Sequence, residues 1–241
     1  MSLKELRDAV VEGVGRGVEP YGFVLRPKAH ACYRKTPGGR QVLHILIANY
    51  AGYFVVNVAA SIRLDAVMRY IAAHPTRLID ARNKETSTLG IELGNLALGG
   101  WASHPVFEAA DIAPTVEAIV DGVERYALSY WATYSDPQAA FDLLSFDHPT
   151  VSLHAPSLGV RAMKVVALAT LLGRDAELPA LVRHWERQLV GNHAEADFRE
   201  FLLANGLVAT AQWSEAENGE DGVTSKQDFD TASQRRNREK H

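Results

Sequence analysis

The sequence predicts an α+β fold: an antiparallel sheet of four to five strands packed with helices, plus a C-terminal helical subdomain docked on it. Three features predict it. Apolar residues recur every three or four positions over residues 3–18 and again through most of 111–205, which is helical spacing. Between residues 29 and 62 the period falls to two, in three runs separated by Pro37-Gly38-Gly39 and by Ala51-Gly52, the turn chemistry of two consecutive hairpins. A hydrophobic content of 47% over 241 residues is enough to bury a sizeable core without a disulfide or metal staple.

Taken in order, Leu3, Leu6, Val10, Val14 and Val18 form the apolar stripe of a first helix that Pro20-Tyr21-Gly22 ends. Gly13, Gly15 and Gly17 lack a preceding strand and the spacing of a phosphate loop, so they read as a frayed helix end. Three strands follow, at 29–35, 41–50 and 53–62. The second and third are apolar on both parities, which predicts helices over both faces of the sheet. A short helix over 64–73 starts at Asp65, with Pro75 just beyond it. Residues 86–98, with Thr88, Ile91, Leu93, Leu96 and Leu98 broken by glycines, predict a fourth strand that bends or doubles back into a fifth.

Asp111 is placed to cap a helix running to Leu128, and Asp136-Pro137 to open another running to Leu144. Residues 146–157, which hold Pro149 and Pro156, read as a connector, and helices are expected over 158–173, 177–190 and 194–205. The chain thus divides into an α+β portion (1–146), a helical portion of the same domain (147–213) and a tail (214–241). The tail is acidic and then basic, too polar to offset its ordering entropy, and is expected to be disordered.

Composition narrows the chemistry. The lone cysteine, Cys32, excludes an internal disulfide framework, and the start of the chain has no apolar signal segment, so a cytoplasmic location is expected. No apolar run approaches the roughly 20 residues that span a bilayer, and a net charge of −4 speaks against nucleic acid, so neither a membrane nor a nucleic-acid partner is predicted. The nine histidines show no metal-ligand spacing, no G-x-S-x-G elbow occurs, and no catalytic residue, metal or cofactor is assigned. Asp80, Glu85, Glu92 and Glu108 read as solvated charges, and Tyr126, Tyr130 and Tyr134 as a core stripe. The candidate binding surface is Tyr50, Tyr53, Trp101 and His104, because aromatic side chains on turns and loops are where interface anchors concentrate.

The order of Pro20-Tyr21-Gly22-Phe23, Cys32-Tyr33-Arg34-Lys35, the run from Tyr50-Ala51-Gly52-Tyr53 to Val58, Gly90-Ile91-Glu92-Leu93 and Trp101 resembles an uncharacterised bacterial domain-of-unknown-function family. The likeness covers residues from near 3 to about 146, and proteins of that kind occur in toxin–immunity neighbourhoods. The resemblance implies a stoichiometric protein binder, an immunity or inhibitor protein of a bacterial toxin, and brings no catalytic residues with it. The alternative expectation is a small-molecule enzyme with a polar pocket built from His30, His44 and the carboxylates near Glu92.

Overall fold

Helix α1 (Leu3–Val18) begins at a capping box, in which the Ser2 amide donates to the Glu5 carboxylate at 2.6 Å and the Glu5 amide to the Ser2 hydroxyl at 3.3 Å. It buries Leu6, Val10, Val14 and Val18. A single turn, Glu19–Tyr21, ends at Gly22, whose φ of +81° turns the chain into the sheet. The computed structural model describes residues 1–73, 76–97, 103–145 and 150–207.

The sheet is antiparallel throughout. Strands β1 (Val24–Arg26), β2 (Ala31–Thr36), β3 (Gly39–Tyr50) and β4 (Tyr53–Leu64) lie side by side in chain order. β5 (Leu89–Glu92) and β6 (His104–Val106) share the far edge of β4, β5 against residues 59–62 and β6 against 54–56. The sheet is therefore five strands wide with a sixth sharing one edge. The three residues of β1 are too few to show a period, so the sequence does not predict it. Between β5 and β6, Leu93–Leu96 close a helical turn (α3) where a continuing strand was expected. Leu93 and Leu96 are three apart and fit a helical turn as well as a bent strand.

Cross-strand partners share a face, which sorts the side chains of the sheet. Phe54, Val56, Val58, Ala60, Ile62, Leu43, Ile45, Cys32, Leu89 and Ile91 line one face and are all buried. Helix α1 reaches this face where Arg7 donates to the Asn49 side chain at 3.2 Å. The second helical cover is one continuous rod made of α4 (Ile112–Gly122), a π-helical segment (Val123–Ala127) and α5 (Leu128–Tyr134). Gln41 ties it down by donating to Ser135 Oγ at 2.7 Å and to the Trp131 carbonyl at 3.3 Å. Gly13 and Gly17 belong to α1 proper and correct the frayed-end expectation: a Cβ at either would come within 2.7 Å and 2.4 Å of Val116 and Val120 of α4. Their missing side chains let the two helices meet.

Among the described residues the expectation of helices over both faces is corrected as well. The second face carries Tyr33, Val42, Ser61 and Arg63 at one end, where the segment between α2 (Asp65–Ala72) and β5 lies over it. Arg63 holds that segment by donating to the carbonyls of Ala81, Asn83 and Thr86 at 3.2, 2.9 and 2.7 Å. Toward the β3–β4 turn no described helix covers the same face, and Leu46, Ala48 and Tyr50 are exposed. Leu, Ala and Tyr tolerate a solvated pleat, so an apolar strand does not by itself require a second layer.

The remaining helices are α6 (Pro137–Ser145), opened by Asp136 accepting from the Ala139 amide at 2.9 Å, then α7 (Val151–His154), α8 (Leu158–Leu171), α9 (Leu178–Leu189) and α10 (Glu195–Ala204). α8 is buried from Gly159 to Ala169 and packs against α2, α6, α9 and α10. Residues Met1–Leu207 form one compact unit. No helix among the described residues is long and apolar enough to cross a membrane. The tail expected to be disordered, 214–241, lies outside the described residues, as does Pro75.

Candidate functional site

The end of the second face next to the β3–β4 turn carries an aromatic row. Tyr50 and Tyr53 close the two-residue turn Ala51-Gly52, where Gly52 takes a φ of +87° that a side chain would resist. As opposed residues of β3 and β4 they point the same way, and their rings stack with centroids 4.9 Å apart and planes at 11°. Phe107 extends the row. The antiparallel pairing of β6 with β4 sets Pro105 opposite Val55, so the next residue on that face, Phe107, falls beside Tyr53, with ring centroids 4.8 Å apart. Tyr50 is 53% and Phe107 58% exposed, and Leu46, two residues before Ala48 on the same face, is 42% exposed. The row is offset-stacked, the favoured arrangement for aromatic pairs, and its outer rings stand in water.

Of the four residues expected to form the binding surface, three are described. Tyr50 and Tyr53 come together. His104 pairs with Val56 and so points to the opposite, helix-covered face, where burial pushes its imidazole below the ordinary histidine value. Trp101 lies outside the described residues. Phe107 was missed because it is a lone aromatic after a loop, and only the β4–β6 register reveals its neighbour.

At the covered end of this face is a polar cluster. His44 Nε2 and Ser61 Oγ share a hydrogen bond of 2.9 Å, and the Ser87 hydroxyl donates to Ser61 Oγ at 2.9 Å. The Tyr33 hydroxyl donates to the Glu85 carboxylate, and burial with that carboxylate pushes the phenol up to about 12. Arg26 and Arg40 lie over the Tyr33 ring at 4.7 and 5.7 Å. Burial lowers the His44 pKa. Ser61 is itself 5% exposed, and the Ser87–Ser61 and Tyr33–Glu85 bonds fasten the segment carrying Glu85 and Ser87 onto the sheet. His30, in contrast, sits outside the strand at a φ of +46°, where its carbonyl accepts from the Ile45 amide at 2.8 Å. Glu92 pairs with Ala59, the cross-strand partner of His44, and so lies two strands from His44. Burial pushes the Cys32 thiol up to about 11.

A groove of about 390 Å³ runs between α1 and β1, bordered by Glu12, Arg16, Glu19, Phe23 and Val24, and its Glu12–Arg16 pair, 3.8 Å apart, is exposed on both sides. Among the described residues no three His, Cys, Asp or Glu side chains gather in an arrangement able to hold a metal ion. No protein-family model, no curated protein and no solved structure matches the chain.

Proposed function

We propose that the chain is a non-catalytic protein-binding module, of the inhibitor or immunity class that its sequence resemblance implies, and that it engages its partner through the open end of the sheet. The observation that supports this reading is the Tyr50–Tyr53–Phe107 row on a face that no described helix covers. Rigid aromatic rings lose little conformational entropy on binding, and such side chains supply about 2 kcal/mol or more each when a partner desolvates them. A stack held in place by a two-residue turn is already organised for contact. The net charge of −4 favours a protein partner over nucleic acid.

The test is affinity capture from bacterial cytoplasmic extract with the full chain and with a Tyr50→Ser/Tyr53→Ser/Phe107→Ser variant whose thermal midpoint matches wild type. The reading expects one protein recovered at equal stoichiometry by wild type and lost with the variant. Recovery that ignores the variant, or turnover of a small molecule by the purified chain, overturns it.

A further inference from the structure

The hairpin made by β3 and β4 outruns its neighbour on the β3 side. β2 reaches only to the pair Ala31↔His44, and the next outward bond is Ile45 N–H to the His30 carbonyl. From Leu46 to Tyr50 no described strand pairs with the outer edge of β3. The polarity of that edge follows from the turn. Tyr50 opposes Tyr53 across a two-residue loop, so the backbone groups of the even residues 46, 48 and 50 face β4. Ile45 confirms the alternation, because its N–H points outward. Ile47 and Asn49 therefore present two N–H and two C=O groups with no strand partner among the described residues.

Natural sheet edges are commonly blunted by charge, proline or a bulge. Leu46-Ile47-Ala48-Asn49-Tyr50 has no charge and no proline, and its register against β4 is unbroken. The segment is also self-complementary. A two-fold axis through Ala48, normal to the sheet, sets Ile47 of one copy opposite Asn49 of the other, and both are outward-facing residues. The resulting pair makes four backbone hydrogen bonds. Ala48 then meets its own symmetry mate in a non-hydrogen-bonded pair, the closer of the two antiparallel spacings, where a methyl group fits. Leu46 and Tyr50, both exposed on the open face, come opposite each other across the axis and cover one another. Axes through Ile47 or through Asn49 lack this match: the first would set Asn49 against Ile45, whose N–H is already used, and the second would set Ile47 against the turn residue Ala51.

We infer that the occupant of this edge is a second copy of the chain, paired antiparallel about Ala48 to give one continuous sheet across the dimer. The inference stands on backbone polarity and register, independently of what the aromatic row binds. In the dimer the two rows lie on one shared face, so a partner would meet them as a doubled surface.

Sedimentation equilibrium of the full chain is expected to give twice the monomer mass. Ile47→Pro removes the outward N–H from each copy while sparing the bonds to β4, and is expected to raise the dimer dissociation constant about thirtyfold. Ala48→Lys and Ala48→Glu each weaken the dimer, and an equimolar mixture of the two restores it as a heterodimer. Ala48→Cys is expected to cross-link under mild oxidation, because a non-hydrogen-bonded pair holds its Cα atoms about 4.5 Å apart, within disulfide range, and the native thiol of Cys32 is fully buried. Tyr53→Ala, one strand in from the edge, keeps the dimer, which separates failure of this pairing from failure of the proposed partner site. A wild-type chain that stays monomeric at its highest soluble concentration, or a dimer indifferent to Ile47→Pro and not cross-linked by Ala48→Cys, overturns the inference.

Discussion

The indole N–H of Trp131 donates to the backbone carbonyl of Ser61 at 3.0 Å, joining the helical layer to the C-terminal part of β4. The Trp131 carbonyl accepts from Gln41 of β3, and its ring packs on Phe23 with centroids 4.6 Å apart. Trp131 is fully buried. Trp131→Phe keeps most of the apolar contact and loses the donor, with an expected cost of about 1–2 kcal/mol. Trp131→Ala also opens a cavity and is expected to cost about 3–5 kcal/mol. Urea titration of the two variants checks the order and the gap between them.

Gly17 is the second place where a small change should be felt. In an ordinary helix interior Gly→Ala stabilises by roughly 1 kcal/mol. Here the new methyl would meet Val120 Cγ2 at 2.4 Å, so Gly17→Ala is expected to destabilise by about 1–3 kcal/mol, and Val120→Ala in the same chain to recover part of the loss. A frayed helix end would show the opposite sign, which thermal unfolding of the single and double variants distinguishes.

Lys164 lies inside α8 at 6% exposure, and burial pushes its ammonium down to about 8. An unfolded lysine titrates near 10.4, so between about pH 8 and 10.4 the unfolded state binds more protons and stability rises with pH. Below pH 8 both states are protonated and the burial cost, about 3 kcal/mol, is present in full. Lys164→Met is therefore expected to be more stable than wild type at pH 7, with the difference shrinking as pH climbs to 10. Paired denaturation curves at the two pH values measure it.

Arg63 anchors the segment that covers one end of the sheet through three backbone carbonyls, and also donates to Asp65 Oδ1 at 2.9 Å at the start of α2. Arg63→Met leaves the carbonyls of Ala81, Asn83 and Thr86 without their shared donor. Limited proteolysis is expected to cleave within residues 80–87 at least tenfold faster, before global unfolding, since local opening follows local stability.

The elements that could be read from the amino-acid pattern are those with many repeats of one period: α1, the β3–β4 hairpin with its Ala51-Gly52 turn, and α8 to α10 within a few residues of their ends. Short elements escaped. β1 has three residues, and Leu93-Gly94-Asn95-Leu96 fits either period, so tertiary packing decides it. The candidate site was half visible, since a two-residue turn must bring Tyr50 and Tyr53 together. Phe107 was not, because its neighbour is fixed by a pairing 54 residues away in the chain, between Phe107 and Tyr53. The side on which His104 lies is likewise set by register, which a one-residue shift would invert.

The most direct test of the proposed binding face compares two aromatic truncations on the protein captured by the full chain. Tyr53→Ala, in the centre of the stacked row, is expected to raise the dissociation constant about thirtyfold, while Tyr126→Ala, an exposed ring on the helical layer, leaves it unchanged. Equal effects of the two substitutions, or none from Tyr53→Ala, would contradict the account.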